Sequence, residues 1–406
     1  MEYNNGKRSK GALIVNIPEL DRRYVAGTYA RLPLEIVGGS GSVLRGKDGR
    51  EYLDLGSGIA VNLFGIGDES WKAAVVEQLN AFQHCSNLYY SAPAARLAQM
   101  LCERTGMQRV FFSNSGAEAN ECAIKAARKW AAEEKGAKYV NIVTLRQSFH
   151  GRTLGTLAAT GQEVYHRLYQ PLPEGFVSVP VGDVQALETV LAERPCAAIL
   201  FETVQGEGGV MPIGEHFAKE MARLAEKYRV LLMADEVQLG NGRSGALYGY
   251  MNYGLSPDVV STAKGLGGGL PLGATLLGAR VAEVFSAGDH GTTFGGNPVC
   301  CAGGINILSR IDAPLLAGVR ERSAYIVGEL TGAKGIRSVS GMGLMLGLEV
   351  CVPAREFAMN ALEKGVLVTT AKEKIRLLPA LNIPIEQLKT AVQLLKDCAA
   401  DCGGTI

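Results

Sequence analysis

Five polar clusters in this chain carry side chains with reactive or ligand-binding chemistry, and each follows a short apolar run. Ser261-Thr262-Ala263-Lys264-Gly265-Leu266-Gly267-Gly268-Gly269 sets a lysine among small residues. A desolvated lysine there loses its proton and attacks an aldehyde, although Lys264 taken singly reads as a surface lysine. Ala234-Asp235-Glu236-Val237-Gln238 follows Val230–Met233. A carboxylate at the end of a buried run is costly unless something cationic meets it, either a pyridinium N–H or a buried arginine. Ser113-Asn114-Ser115-Gly116-Ala117-Glu118-Ala119-Asn120 leads into a helical run from Glu121 to Ala132. Free amides and the positive dipole end of a helix suit a phosphate there, and a plain helix cap fits equally well.

Ser148-Phe149-His150-Gly151-Arg152-Thr153 offers a ring that stacks on a planar group and a guanidinium fork for a carboxylate. Alone, Phe149 reads as core and His150 as a structural hydrogen-bonder. Glu202-Thr203-Val204-Gln205-Gly206-Glu207-Gly208-Gly209 presents Glu207 between glycines that let the backbone pass close to a ligand. In isolation it is a solvated loop acid. Gly240-Asn241-Gly242-Arg243-Ser244-Gly245 matches G-x-G-x-x-G, but Gly249, Gly254 and Pro257 interrupt the helix such a site needs, which argues against a dinucleotide.

The elements behind these clusters make them converge. Val110–Phe112, Val140–Val143, Ala197–Phe201, Val230–Ala234 and Val259–Val260 read as strands buried on both faces, the pattern of a largely parallel α/β sheet. Such sheets bind ligands beyond the carboxyl ends of their strands. Lys264 and Asp235 stand 29 positions apart on neighbouring strands, so both face one crevice. A Schiff-base lysine paired with an acid for a pyridine nitrogen is what pyridoxal 5′-phosphate requires. Elsewhere, Val43–Leu55 reads as two strands around Lys47-Asp48-Gly49. Trp71, Val75, Leu79 and Phe82 recur at helical spacing. A strand at Ile375–Leu378 precedes a helix face of Ile385, Leu388, Val392 and Leu395, which suggests a smaller α+β domain.

At 406 residues two or three domains are expected. The net charge of +1 supplies no basic field for nucleic acid. Nine cysteines without a C-x-x-C pair, and only five histidines, give no zinc pattern and read as reduced thiols, with no metal expected. The polar stretch Met1–Lys10 and the short apolar run Ala12–Ile17 do not make a secretory leader, and no run nears the roughly 20 apolar residues of a membrane span. A cytoplasmic chain is expected, binding neither nucleic acid nor membrane.

From about Leu34 to Leu395 the five motifs, in order and spacing, resemble those of class III aminotransferases. The resemblance implies the type I fold of pyridoxal-phosphate enzymes, a homodimer, and a small domain built from both chain ends. Residues 1–55 and 296–406 would form that domain around a cofactor-binding domain of 56–295. It further implies that Ser115, Gly116 and Ala117 form a phosphate cup, that Phe149 stacks on the cofactor, and that Asp235 meets its ring nitrogen. Gln238 would touch its phenolic oxygen and Lys264 would form the Schiff base. Thr293, in Gly291-Thr292-Thr293-Phe294, would reach the cofactor phosphate of the other subunit, while Arg152 and Arg376 would bind substrate carboxylates, with Glu207 covering Arg376 as a switch.

Gly58-Ile59-Ala60-Val61-Asn62 and Ser86-Asn87-Leu88-Tyr89-Tyr90 are most similar to the acetylornithine-type branch, and Gly58 stands where ornithine enzymes carry a tyrosine. The implied reaction moves the δ-amine of N2-acetylornithine to 2-oxoglutarate in arginine biosynthesis. Succinylornithine, ornithine and 4-aminobutyrate are alternative donors, and a pyridoxal-phosphate isomerase or an inactive binding protein are the other classes. The chain departs from the family's usual G-H-x-H-P at Gly65–Glu69, from its E-P at Glu202-Thr203, and from an arginine near Met342.

Overall fold

The structure is a computed structural model that describes residues 16–402, so the stretch Met1–Lys10 and most of the run beginning at Ala12 lie outside it. Its centre is a seven-stranded sheet in the order Arg109–Ser113, Gly273–Leu277, Val259–Thr262, Leu231–Asp235, Cys196–Phe201, Asn141–Leu145, Phe176–Val179. Five of these are the strands expected from the apolar runs. Cys196–Phe201, Leu231–Asp235, Val259–Thr262 and Gly273–Leu277 are buried at every position, which only helices on both faces allow.

Gly273–Leu277 runs antiparallel to both of its neighbours, whereas the other paired strands run parallel. The carboxyl ends of Arg109–Ser113, Asn141–Leu145, Cys196–Phe201, Leu231–Asp235 and Val259–Thr262 therefore meet at one edge, where each hands the chain to one polar cluster.

Two smaller sheets flank this layer. Ile36–Ser40, Val43–Gly46 and Glu51–Asp54 form an antiparallel ribbon, with the expected turn at Lys47–Gly49. Val366–Leu367, from the far end of the chain, pairs parallel to Glu51–Asp54 and closes it. The second sheet is Ile336–Met342, Met345–Val350, Lys374–Leu377 and Thr369–Ala371, all antiparallel. In the C-terminal helix Ile385–Cys402, Leu388, Val392 and Leu395 are buried as the periodicity requires, while Ile385 is exposed. Truncating Leu395 to alanine would cost about 2–5 kcal/mol.

The helix Glu69–Ala81 differs from its expected packing. Trp71 is anchored by Nε1, which donates to the Gly267 carbonyl at 3.2 Å, yet no residue of the helix is buried and Leu79 is 52 % exposed. Its apolar face is only partly covered by this chain. Among the described residues no single helix is long and apolar enough to cross a membrane.

Candidate active site

Asp235 ends its strand 6 % exposed, and among the described residues no arginine pairs with it. Its Oδ2 accepts from Asn120 Nδ2 at 2.7 Å and lies 2.7 Å from His150 Nδ1, which therefore carries its proton on that nitrogen. Ser261 Oγ donates to Asn120 Oδ1 at 2.5 Å and so turns the Asn120 amide NH2 toward Asp235. Among the described residues the other carboxylate oxygen accepts only the Val237 amide, at 3.1 Å. His150 is thus more than a core histidine. It fixes the carboxylate, and its Nε2 is buried with no partner among the described residues.

Lys264 opens the short turn Lys264–Gly267 just beyond Val259–Thr262. Its φ of +48° is a left-handed conformation that a non-glycine residue keeps only when its surroundings impose it. Burial pulls its pKa below the ordinary lysine value, opposed by the carboxylates of Glu207 and Asp235. A Cβ on Gly265 would stand 2.7 Å from Leu63 Cδ2, so any side chain after the lysine would have to displace Leu63.

The helix Gly116–Lys135 begins at the same edge. Ser115 caps it, accepting the Glu118 amide at 3.2 Å and donating to Glu118 Oε2 at 2.9 Å. Capping leaves the first amides, those of Gly116 and Ala117, without intrahelical partners, and both residues line a cavity of about 270 Å³ together with Phe149, Asp235, Gln238 and Lys264. Gly116 packs so closely that a Cβ would meet Val237 Cγ1 at 2.5 Å.

Phe149 and Arg152 enter from the loop after Asn141–Leu145. The Phe149 amide donates to Glu202 Oε1 at 2.8 Å, and the Gly206 amide to Glu202 Oε2 at 3.0 Å. Glu202 thus ties two of the clusters together, a role the motif reading missed, and burial pushes its pKa up. Arg152 lies 5.8 Å over the ring of Phe149 and 5.6 Å over that of Tyr165, contacts that favour a guanidinium while leaving its fork free.

Arg376 reaches the site from Lys374–Leu377. Its Nη1 donates to Glu207 Oε1 at 2.5 Å and to Gln238 Oε1 at 3.0 Å, and its Nε to Thr369 Oγ1 at 3.2 Å. Burial opposes ionisation of Glu207, but the Arg376 guanidinium prevails and holds its pKa below the ordinary carboxylate value. Gln238 belongs to this pair as well as to the cavity. Thr293 is exposed and stands away from the chain's own cavity, whereas its neighbour Thr292 accepts from Asn114 Nδ2 at 3.2 Å.

Another feature was not legible in the motifs. Ser57, Gly58, Ile59 and Ala60 all have positive φ, between +46° and +64°, a left-handed turn that costs roughly 1–2 kcal/mol per non-glycine residue. Since Ile59 and Ala60 share the conformation, it does not by itself demand glycine at 58. A Cβ there would approach Asn62 Nδ2 at 3.3 Å.

The departures are absorbed locally. Thr203 Oγ1 donates to the buried Glu236 Oε1 at 3.1 Å. Asp68 caps Glu69–Ala81 through the Trp71 amide and pairs with both terminal nitrogens of Arg310, at 2.6 and 2.9 Å. Arg243 of the glycine-rich hexapeptide is fully buried and donates to the carbonyls of Leu344 and Pro379, so this segment braces the fold rather than cradling a dinucleotide.

Pyridoxal phosphate fits the residues present. The cavity presents unpaired helix amides, a desolvated lysine, an aromatic ring and a fixed carboxylate with one lightly used oxygen.

Residues 24–399 match the family model described as aminotransferase class-III. The chain is 44 % identical over 381 residues to the acetylornithine aminotransferase of Haemophilus ducreyi, covering 93 % of this chain and 97 % of that one. Among solved structures, the N-acetylornithine aminotransferase of Stenotrophomonas maltophilia is 34 % identical with a TM-score of 0.82, covering 94 % of this chain and 98 % of that one. The ornithine aminotransferase of Toxoplasma gondii is 28 % identical with a TM-score of 0.91, over 95 % and 94 % of the two chains. With a lysine and a carboxylate meeting at the strand ends and a likeness that spans nearly every residue, this chain belongs to the class III aminotransferases, the pyridoxal-phosphate enzymes that pass an amino group from an amine to a keto acid.

Proposed function

We propose that this enzyme moves the δ-amino group of N2-acetylornithine to 2-oxoglutarate, giving N-acetylglutamate 5-semialdehyde and glutamate, a step of arginine biosynthesis. The observation that carries this reading is the Glu207–Arg376 pair at 2.5 Å together with a second guanidinium, that of Arg152, which has no ion-pair partner among the described residues. Two carboxylate sites, one of them covered, suit an enzyme that takes two differently charged substrates in turn. Glycine at 58, where ornithine enzymes carry a tyrosine, suits an acylated amine rather than a free one.

In this reading Ser115, Gly116 and Ala117 hold the cofactor phosphate, Phe149 covers its ring, Gln238 touches its phenolic oxygen and Lys264 binds it covalently. When bound, the cofactor supplies a ring that, protonated at its nitrogen, accepts the electron pair left on carbon as a proton departs. Asp235 keeps that nitrogen protonated, and His150 and Asn120 keep Asp235 aimed. Lys264 Nζ would then be free to act as the base that takes the proton from the amine-bearing carbon of the substrate. Arg152 holds the α-carboxylate of the donor while Glu207 covers Arg376. In the second half Glu207 withdraws, and Arg376 takes the α-carboxylate of the keto acid.

The working unit in this reading is a homodimer, with Thr293 reaching the partner's cofactor. Val76, Leu79, Leu88, Tyr89, Tyr90 and Phe294 are exposed apolar side chains, and Asn87 Nδ2 ties this segment to the Thr292 and Gly295 carbonyls at 3.0 Å. Exposed apolar side chains of this kind favour association. The division at 55/56 and 295/296 belongs to the same proposal.

A second reading, ornithine as donor, is favoured by the high TM-score to the Toxoplasma gondii enzyme. Single half-reactions with acetylornithine, succinylornithine, ornithine and 4-aminobutyrate decide between them. The first reading requires acetylornithine to give the highest kcat/KM, and a clear preference for another amine overturns it.

A further inference from the structure

Glu207 has two sides. One meets Arg376, whose side chain is only 3 % exposed, and the other, with 29 % of the Glu207 side chain exposed, faces a cavity of about 1080 Å³ that also borders Gln147, Tyr165 and Lys372. A carboxylate that lets go of Arg376 has room on that side.

The loop that carries Glu207 is held between two segments. A Cβ on Gly208 would stand 2.6 Å from the Gln147 carbonyl, and one on Gly209 would stand 4.0 Å from the Ala371 carbonyl, next to Lys372. Lys372 Nζ donates to the side-chain oxygen of Gln147, so lysine and glutamine clasp over the loop. Both have positive φ, +53° at Lys372 and +70° at Gln147. Non-glycine residues keep that conformation only where the surroundings dictate it. Lys372 has no carboxylate within ion-pair distance among the described residues, and partial burial lowers its pKa with nothing anionic to offset it. It is a cation placed at the open side of the switch and left without a counter-ion while the switch is closed.

We propose that Lys372 is a specificity-determining residue that receives the Glu207 carboxylate when a dicarboxylate keto acid claims Arg376. The inference rests on the two-substrate reading above. It adds that the open state has its own partner, so uncovering Arg376 does not leave Glu207 as an unpaired, partly buried anion. Lys372 exchanges an amide oxygen for a carboxylate as Glu207 arrives, and the clasp over the loop opens with it.

Holoenzymes of wild type, Lys372→Met, Lys372→Arg and Arg146→Gln serve as the test, the last removing another cation that borders this cavity. Binding of glutarate, a dicarboxylate that cannot react, is followed by calorimetry alongside both half-reactions. Lys372→Met is expected to weaken glutarate and raise KM for 2-oxoglutarate about three- to fivefold. That loss should shrink at high salt, while kcat and the acetylornithine half-reaction stay near wild type. Lys372→Arg restores binding and Arg146→Gln keeps it. In a Glu207→Gln background Lys372→Met has no further effect. Equal glutarate binding by wild type and Lys372→Met, or the same loss in the Glu207→Gln background, overturns the proposal. Failure of wild type in both half-reactions instead overturns the two-substrate reading itself.

Discussion

Arg376 Nη1 and Glu207 Oε1 meet at 2.5 Å across the junction of two sheets, one donated by the C-terminal strand Lys374–Leu377 and the other by the loop after Cys196–Phe201. Because the folded pKa of Glu207 is lowered, the stabilisation from this pair is fully present above the ordinary carboxylate pKa and is lost as pH falls through the folded value. Glu207→Gln keeps the shape and removes the charge. Glutarate binding should tighten several-fold, while kcat/KM for acetylornithine falls about tenfold as its carboxylate gains a competing site. Steady-state kinetics with each substrate in turn check this, and weaker glutarate binding counts against the cover role.

Asp235 is held by His150 and Asn120 on one oxygen only. Asp235→Asn preserves these contacts in outline but cannot keep a ring nitrogen protonated, so turnover should fall about 10²–10⁴-fold with the melting temperature little altered. Turnover within tenfold of wild type would show that the carboxylate is structural.

Thr203 stands where the family usually has proline, and its hydroxyl donates to Glu236, a fully buried carboxyl pushed up to about 7 by burial. A raised folded pKa means that the native state holds the proton longer, so this group's contribution to stability falls as pH rises from the ordinary carboxylate range through about 7. Once ionised, Glu236 depends on its donors. Thr203→Val should therefore cost about 1–3 kcal/mol at pH 8 and less at pH 5.5, measurable by denaturant unfolding at both values. An equal loss at both pH values would contradict the assignment.

How much of this was written in the sequence varies with the physics involved. The double-buried strands announced themselves because burial on both faces makes continuous apolar runs, and the clusters followed because each run ends in polar residues. Gly273–Leu277 hid behind the glycine run after Lys264. A short antiparallel strand that starts Gly-Ala-Thr there reads as more loop, and Phe176–Val179 is shorter still. The roles of His150, Asn120 and Glu202 depend on side chains from different strand ends meeting in space, which spacing along one chain does not reveal. The left-handed turn at Ser57–Ala60 had no signal, since only one of its four residues is glycine. The exposed face of Glu69–Ala81 shows periodicity working and failing together, for it marks an apolar face without saying which chain covers it.

Gly58 supplies a further prediction. In Gly58→Tyr the new Cβ stands 3.3 Å from Asn62 Nδ2 in a left-handed turn, so Asn62 has to give by a few tenths of an ångström. Stability should fall by roughly 1–2 kcal/mol, while kcat/KM for acetylornithine drops at least about tenfold relative to ornithine. An unchanged donor ratio would remove Gly58 from the determinants of substrate choice.

Whether Lys264 both carries the cofactor and moves the proton can be read from single-turnover absorbance. Mixing the loaded wild-type enzyme with acetylornithine should bleach the cofactor's band, and 2-oxoglutarate should restore it. Lys264→Ala, still loaded through its phosphate cup, should bind the amine without bleaching, or bleach about 10²–10⁴-fold more slowly. Bleaching at the wild-type rate in Lys264→Ala would contradict the account.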